Sequence, residues 1–431
     1  MLHRCLEQEA EKRYMPLPDS LCLMPWIHAH VDAQGLRGLC CMDMRRFDGP
    51  VHNHSVEDYW NGEEMRAIRR QMISGRLPPR CAACKGDGNR ALSLKDEVTA
   101  RWPDWAEIVV GETAEDGSTM LRPFTFDYRN SVCNLKCRTC GPHSSTTSEA
   151  EARAVEAIGA IERDAGRWDQ AYRAKRDAGH DSARNELVAA ARQGRIRQLY
   201  WAGGEPLFDA THWEVMNALV EGGHAQNVDV AYNSNLTLLS FKGQGVEDLW
   251  PRFRSVHVQA SVDGLGKAGE YIRSGFRTET FVRHVDTLRD LTREVPAIRL
   301  TLDVTVTSLG LLYLGDLMQF SVERRLETTA KLMAPRRINY YLAVDALPPA
   351  VARDWSDRWM TWILRHDHEG LLGSVYDVLL HHRKREVRPD PALLSQSAHA
   401  IAAFEAARKE AGLFRQLCAV DARLKDFAVP A

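Results

Sequence analysis

The stretch that decides the fold is "FDYRNSVCNLKCRTCGP", residues 126–142, which places Cys133, Cys137 and Cys140 within eight positions. The apolar run just before it, "PFTFDYR" at 123–129, is typical of a β-strand. No stretch has the apolar core of a signal peptide or the length of a membrane span, so the sequence predicts a cytoplasmic protein. In that reducing compartment, clustered cysteines bind metal or do chemistry more often than they form disulfides.

The composition is that of an ordinary globular protein. The chain has 431 residues, 44% of them apolar and 26% charged, which is enough for two or three domains with a large core. The 56 basic and 58 acidic residues give a net charge of −2. This balance indicates neither a nucleic-acid partner nor a membrane surface.

From residue 121 onward, short apolar runs alternate with helical stretches. The predicted strands are 123–129, 196–203, 228–234, 255–263, 298–306 and 337–344. Strands that alternate with helices indicate an α/β fold of parallel βαβ units, and six units favour a partial (β/α)6 TIM-like barrel. Active groups are then expected at the carboxyl ends of the strands.

The chain divides by composition into three predicted domains. Residues 21–95 form a small cysteine-rich domain, 121–345 the barrel and 346–431 a helical C-terminal extension. Residues 98–119 are interpreted as a linker with a turn at 115–117, and 144–195 as one or two exposed helices. Helical spacing is shared by Trp355, Trp359 and Trp362, which are predicted to pack in the core. The thiol of Cys418 is also predicted to be buried there, and the alternative is that it donates a hydrogen atom in the reaction.

Three cysteines on one loop are one ligand short of a closed zinc site. Zinc normally takes four protein ligands, and His143 is the candidate for the fourth. A [4Fe–4S] cluster held by Cys133, Cys137 and Cys140 alone would leave one iron open to a small molecule.

A second set comprises Cys22, Cys40, Cys81 and Cys84. Gly35 and Gly38 suit a hairpin that brings Cys40 back towards Cys22, and Cys81-x2-Cys84 supplies the second pair. Between the two pairs, Met65, Ile68 and Met72 mark the buried face of a helix that Ser55 can cap. Four thiols can close a structural zinc site. Cys41, which is adjacent to Cys40, is the alternative ligand at that position.

The three-cysteine loop resembles that of the radical S-adenosylmethionine (SAM) enzymes, in which C-x3-C-x2-C follows the first barrel strand. The segment "WAGGEP" (201–206) is similar to the family's Gly-Gly-Glu-Pro motif, and "YNSNLT" (232–237) is similar to the segment after the third strand. The segments "SVDG" (261–264) and "YIRSG" (271–275) are similar to the family's ribose- and carboxylate-binding segments. The resemblance implies that SAM is bound by a set of residues comprising Gly203, Gly204, Glu205, Pro206, Asn235, Ser261 and Arg273. Thr139 departs from the family, where the residue before the third cysteine is usually bulky.

The four-cysteine set resembles the twitch domain, the shortened form of the SPASM extension, which binds one auxiliary [4Fe–4S] cluster. In the family this domain usually follows the barrel, whereas here it precedes it. The resemblance implies two [4Fe–4S] clusters, one that binds SAM and one for electron transfer.

The implied activity is reductive cleavage of SAM to a 5′-deoxyadenosyl radical, which abstracts a hydrogen from an unactivated C–H bond. The outcome is left open between oxidation, epimerisation and peptide cross-linking, with a small-molecule or peptide substrate and flavodoxin or ferredoxin as reductant. The alternative is a zinc-binding structural or interaction protein without radical chemistry.

Overall fold

The computed structural model describes residues 17–43, 56–82, 84, 93–164, 170–336, 338–425 and 427. The cap predicted at Ser55 lies outside these residues. The described chain forms two compact units. The first contains the residues up to Val31 together with Leu36–Asp127, and the second contains Asp32–Gly35 together with the residues from Tyr128 onward.

The first unit is built from short helices and one hairpin. Its described helices are α1 (Met24–Ile27), α2 (Val56–Trp60), α3 (Glu63–Ile73), α4 (Leu94–Arg101) and α5 (Trp105–Gly111). The strands β1 (His28–Val31) and β2 (Arg37–Gly38) pair antiparallel. Gly35 has φ +73°, a left-handed conformation that glycine adopts without strain, so the predicted hairpin is confirmed.

The core of the first unit surrounds α3. Its buried face contains Met65, Ile68 and Met72, as the helical spacing predicts. On the same helix the fully buried Arg69 donates from Nη2 to the Pro25 carbonyl at 2.9 Å and lies over the ring of Trp60. Burial lowers the pKa of Arg69 to about 10, and the carbonyl and ring contacts stabilise its charge.

The linker predicted at 98–119 is wrong, because α4 ends inside it and α5 lies wholly within it. Ser93 caps α4 by accepting a hydrogen bond from Asp96 N. Trp105 then packs on Phe124 with ring centroids 4.5 Å apart, and Ala106 and Val109 are buried, so α5 belongs to the core. The predicted turn at 115–117 is present, and Gly117 has φ +84°.

The remaining strands, in chain order, are β3 (Thr125–Asn130), β4 (Lys136–Cys137), β5 (Gln198–Gly203), β6 (Asp229–Ser234), β7 (Ser240–Phe241), β8 (Gln244–Gly245), β9 (Ser255–Val262), β10 (Arg273–Ser274), β11 (Ile298–Val306) and β12 (Thr328–Leu332). In the second unit, to which β3 belongs from Tyr128 onward, the order across the sheet is β12-β11-β9-β6-β5-β3. The pairs β5/β6, β6/β9, β9/β11 and β11/β12 are parallel. The protein is therefore mixed α/β with a parallel sheet, and five of the six predicted strands are confirmed.

The sixth predicted strand, 337–344, is wrong. Tyr340–Leu342 and Val344–Ala346 form 3-10 turns, and the last strand of the sheet is β12. The pattern of "RINYYLAV" suited a buried strand, but "TTAKL" at β12 pairs with β11 from Leu302 to Val306. Its β-branched threonines fit a pleated strand, and the pairing with β11 decides between two short candidates.

The helices of the second unit pack on the sheet and extend the chain beyond it. Those described are α6 (Thr146–Ala154), α7 (Glu156–Asp164), α8 (Gln170–Arg192), α9 (Ala210–Glu221), α10 (Val246–Leu249), α11 (Gly266–Ile272), α12 (Thr278–Glu294), α13 (Ser308–Leu312), α14 (Leu314–Arg324), α15 (Pro349–His366), α16 (Gly373–Lys384), α17 (Pro391–Arg408) and α18 (Leu413–Cys418). The segment after the cysteine loop thus holds three helices rather than one or two. None of the described helices combines the length and apolarity needed to cross a membrane.

Candidate functional site

The three-cysteine loop leaves the carboxyl end of β3, where a parallel sheet gathers its active groups. Cys133 and Cys137 are buried, and Cys140 is exposed. Ser145, which caps α6, donates from Oγ to the Leu135 carbonyl at 2.6 Å. Thr146 Oγ1 accepts a hydrogen bond from Cys133 N at 3.2 Å. The start of α6 therefore holds the loop in place.

Arg273 lies directly beside the loop. Its strand β10 pairs antiparallel with β4, and the register sets Arg273 opposite Cys137. Its guanidinium donates two hydrogen bonds to the buried carboxylate of Asp263, at 2.9 and 3.0 Å. Burial alone would lower the pKa of Arg273, but the negative charges of Asp263 and of the Cys137 thiolate outweigh it and hold that pKa above its ordinary value.

The thiols of the loop affect one another. A hydrogen bond between Cys137 and Cys140 raises the pKa of Cys137 and lowers the pKa of Cys140, and the charge of Arg273 favours both thiolates. Burial raises the pKa of Cys133 to about 12. The three sulfurs thus share one electrostatic environment, as the ligands of one metal group would.

The Gly-Gly-Glu-Pro segment lies against the backbone that precedes Cys133. Gly204 N donates to the Asn130 carbonyl at 2.7 Å, and Glu205 N donates to the Val132 carbonyl at 2.7 Å. A Cβ on Gly204 would be 2.1 Å from the Val132 oxygen, so only glycine permits this approach.

Glu205 joins the ends of two strands. Its side chain is fully buried, and Oε2 accepts from Asn235 N at 2.6 Å. Oε1 accepts from Ser234 Oγ at 2.8 Å and from Leu207 N at 3.1 Å. Burial raises the pKa of Glu205 to about 7, although these hydrogen bonds favour the carboxylate. Glu205 therefore makes structural contacts that the motif by itself does not reveal.

The other predicted SAM residues lie near the same strand ends. Pro206 is buried at the start of a 3-10 turn. Asn235 Nδ2 donates to Asn134 Oδ1 in the cysteine loop at 3.1 Å. Ser261 is half-buried on β9, opposite Asp303 of β11. The structure thus brings the loop, Gly204, Glu205, Asn235 and Arg273 together, with Ser261 on the neighbouring strand.

Arg138, between the second and third cysteines, makes contacts that no sequence pattern indicated. Its fully buried guanidinium lies 3.7 Å from the centre of the Tyr271 ring and is paired with Glu410, after α17. Nη1 also donates to Ser274 Oγ at 2.9 Å. Contacts across such sequence distances leave no local pattern, so sequence analysis could not have found them.

A second contact also ties α17 to the loop region. Arg408, the last residue of α17, pairs with Glu151 at 2.6 Å and donates to Ser274 Oγ at 2.9 Å. Glu151 in turn accepts from Lys136 of the cysteine loop at 2.7 Å. The cysteine loop is therefore connected with α17 and the residues after it in two places, directly through Arg138–Glu410 and through the three-residue network of Arg408, Glu151 and Lys136.

The four-cysteine set lines one cavity in the first unit, of about 40 Å³. Cys22, Cys40, Cys81 and Cys84 all line it, together with apolar side chains such as Met24 and Leu77. Cys41 is not among the lining residues. Burial raises the pKa of Cys22 to about 12 and of Cys81 to about 11, so these thiols are protonated at neutral pH without a bound cation or cluster.

A buried ion pair joins the two halves of this set. Arg80, next to Cys81, pairs with Asp43 at 2.7 Å, and both side chains are almost wholly buried. Asp43 also accepts a hydrogen bond from Leu39 N at 3.2 Å. Because one partner follows Cys40 and the other precedes Cys81, the pair fixes the distance between the two cysteine pairs.

Sequence analysis also missed a line of polar side chains across one face of the sheet. Arg129 lies over the ring of Tyr200, whose hydroxyl donates to Asn233. Asn233 Nδ2 donates to Asp303 Oδ2 at 2.8 Å, and Asp303 accepts from Lys331 Nζ at 2.6 Å. Parallel strands covered by helices on both faces are apolar throughout. The polar residues at alternate positions of these strands were the available signal that one face does not pack on helices.

Comparisons with known proteins point to the four-cysteine segment. Residues 22–85 match the model of the SPASM family, an iron-sulfur cluster-binding domain. No curated protein sequence matches the chain.

Among solved structures, the chain is similar to Streptococcus suis SuiB bound to precursor peptide SuiA. The identity is 12%, the match covers 78% of this chain and 70% of that one, and the TM-score is 0.38. Native anSMEcpe with bound AdoMet matches at 16% identity over 56% of this chain and 62% of that one, with a TM-score of 0.36. At these low scores, neither match carries an argument about fold or function.

Proposed function

We propose that the protein is a radical SAM enzyme with two [4Fe–4S] clusters. The observation that carries the proposal is the docking of residues 203–205 on the backbone just before Cys133, with Arg273 opposite Cys137. At these strand ends lie the three thiols of the loop, the glycine that contacts the Val132 backbone, and the arginine that is paired with Asp263. The consecutive order of the parallel strands from β5 to β12 supports the partial barrel, because a doubly wound sheet reverses its order.

The residues of the loop fit a cluster with one open iron. The described thiols near the carboxyl end of β3 are Cys133, Cys137 and Cys140, one fewer than the four irons of such a cluster. When bound, the cluster would supply one electron to cleave SAM into methionine and a 5′-deoxyadenosyl radical. Arg273 would add positive charge beside the thiolates, and Arg138 would hold the loop through Tyr271 and Glu410.

Residues 203–206, Asn235, Ser261 and Arg273 would position SAM. The close approach of Gly204 exposes backbone beside the loop, and Asn235 connects the end of β6 to Asn134. Since the Glu205 carboxylate already accepts three hydrogen bonds, its first role would be to fix the ends of β5 and β6. The Glu205 carboxylate oxygens could then accept a further hydrogen bond from SAM with their remaining lone pair.

The four-thiol cavity fits an auxiliary [4Fe–4S] cluster. Cys22, Cys40, Cys81 and Cys84 would leave no iron open, so that cluster would transfer electrons rather than bind substrate. The match of residues 22–85 to the SPASM model supports iron at this position, whereas four thiolates alone would equally suit zinc. A structural zinc ion bound by these four thiolates, here called the zinc clip, is therefore the second candidate. It would leave the chemistry of the three-cysteine loop unchanged.

The polar face of the sheet would hold the substrate. Asn233, Asp303 and Lys331 are linked by hydrogen bonds and are partly accessible to solvent, so they can exchange those bonds for bonds to a polar molecule. A small polar metabolite or a peptide segment would suit them. The reaction would begin with hydrogen abstraction and end in oxidation, epimerisation or cross-linking, with flavodoxin or ferredoxin as electron donor.

The test is the iron, sulfide and zinc content of anaerobically purified protein, followed by an assay for 5′-deoxyadenosine after addition of dithionite and SAM. We expect about eight irons per chain, because each [4Fe–4S] cluster contributes four. Cys137→Ala should abolish 5′-deoxyadenosine formation, and Cys418→Ala is the matched control for loss of a buried thiol. Protein without iron and without SAM cleavage would refute the proposal.

The auxiliary cluster is tested by adjacent cysteines. Cys40→Ala should remove about four irons, whereas Cys41→Ala should remove none, because only Cys40 lines the cavity. If Cys40→Ala instead removes one zinc and leaves the iron unchanged, the zinc clip is correct and the auxiliary cluster is not.

A further inference from the structure

A second group of potential metal ligands lies in the first unit, and none of its residues lines the cysteine cavity. His28 and His30 are two residues apart on β1, so both point to the same face of the strand. Thr125 and Asp127 have the same spacing at the start of β3, the neighbouring strand. His28 Nδ1 lies 2.9 Å from Thr125 Oγ1, and His30 Nδ1 lies 3.1 Å from Asp127 Oδ2.

All three potential ligands are buried. His28 is 8% exposed, His30 1% and Asp127 4%. Nδ1 of His30 faces the Asp127 carboxylate, whereas within the described part of the chain its Nε2 makes no hydrogen bond. A buried polar group without a partner costs about 1–3 kcal/mol, and such groups in native proteins usually have an explanation. A bound cation would supply a partner for this ring and share the charge of the Asp127 carboxylate.

The hydrogen bonds of Thr125 set the tautomer of His28. Thr125 Oγ1 donates to the Ile27 carbonyl at 3.0 Å, so it accepts from the Nδ1–H group of His28. The neutral ring then carries its lone pair on Nε2. An outer hydrogen bond of this kind is how metal-binding histidines are usually oriented.

We propose that His28, His30 and Asp127 bind one divalent transition-metal ion of the Zn²⁺ type. One ligand atom from each residue can be chosen so that all three lie within 4.8 Å of one another. Two imidazole nitrogens and one carboxylate oxygen suit zinc and its neighbours in the first transition row, whereas Mg²⁺ and Ca²⁺ prefer oxygen alone. A shift of the side chains towards the ion would bring the ligands to bonding distance.

This site is independent of the proposed iron-sulfur chemistry, because none of its ligands is a cysteine. It would join β1 to the first residues of β3 by metal bonds. Three protein ligands would leave a position for a water molecule. A buried histidine–aspartate pair without metal is the competing explanation, and it predicts no metal at this position.

The test uses the full-length protein loaded with its clusters, exposed to ZnCl2 and then passed over a chelating resin. We expect one retained zinc per chain in addition to the iron and sulfide. His30→Gln and Asp127→Asn should each lose that zinc with iron and sulfide unchanged. His257→Gln is the matched control, because His257 is also a strand histidine paired with a threonine, Thr301, at 2.9 Å, and it should keep the zinc.

X-ray absorption at the zinc edge provides a second measurement, which does not depend on the folding of any variant. Zinc at the proposed site should show only nitrogen and oxygen neighbours at about 2.0–2.2 Å, whereas zinc in the four-cysteine cavity would show sulfur at about 2.3 Å. Wild-type protein that retains no zinc, or zinc bound by sulfur alone, would overturn the proposal. So would a folded His30→Gln variant that keeps its zinc with unchanged nitrogen and oxygen neighbours.

Discussion

Gly204→Ala tests the contact that assembles the proposed active site. The added Cβ would be 2.1 Å from the Val132 oxygen and 2.7 Å from its carbonyl carbon. Both atoms are backbone, so no side chain can rotate away. To reach an ordinary contact of roughly 3.5 Å, the two segments must separate by about 1.4 Å.

That separation would break two hydrogen bonds. The bonds from Gly204 N to Asn130 O and from Glu205 N to Val132 O, both 2.7 Å, would lengthen beyond hydrogen-bonding range. Each backbone bond contributes about 1 kcal/mol, and a buried group left without a partner costs about 1–3 kcal/mol. We therefore expect the free energy of unfolding to fall by about 2–4 kcal/mol.

The assay combines urea unfolding with iron content and 5′-deoxyadenosine formation. Gly204→Ala should lower the stability, the retained iron and SAM cleavage together, because Val132 immediately precedes Cys133. Gly373→Ala is the control, since a Cβ there meets no atom within 4 Å and the residue lies at the start of α16. If Gly204→Ala keeps wild-type stability and cleavage, the glycine approach does not hold the site together.

Three further substitutions test separate contacts. Arg80→Met should lower the free energy of unfolding by about 3–5 kcal/mol, because it leaves Asp43 buried without its partner, and adding Asp43→Asn should restore part of that loss in the same urea titration. Arg138→Met should cost about 3 kcal/mol through the lost charged hydrogen bonds and the Tyr271 contact, and it should reduce the iron retained by the loop while the auxiliary iron stays. Asp303→Asn should leave folding and 5′-deoxyadenosine formation unchanged while product formation from the true substrate falls at least tenfold; an equal loss of both would place Asp303 at SAM instead of at the substrate.

The sequence was informative where a residue answers a local requirement. The cysteine spacing, the glycine at 35 and the buried face of α3 each reflect geometry within a few residues, and the structure has the corresponding loop, hairpin and packed helix. The alternation of strands and helices predicted six strands, five of which are in the sheet, for the same reason. Periodicity and turn chemistry are properties of adjacent residues, so they can be read without knowing the rest of the fold. The close approach of Gly204 to Val132, by contrast, joins residues far apart in the chain.

The errors and omissions came from distant contacts. The choice between 337–344 and β12 depended on pairing with β11, and the helices within 98–119 depend on packing such as that of Trp105 on Phe124. Arg138 and Glu410 are 272 positions apart, so no window along the chain contains both. A single sequence indicates which residues can form an element but not which distant partner selects it.

The first unit shows why the unusual position of the four-cysteine segment does not weaken its proposed role. All residues that line the cavity belong to that unit, and so does the Asp43–Arg80 pair that joins its two halves. A ligand set closed by its own unit keeps its donors wherever the unit occurs in the chain. Order along the chain would matter only for a site with ligands from two units, so the placement of residues 22–85 before the parallel strands leaves the four thiols equally able to bind a cluster.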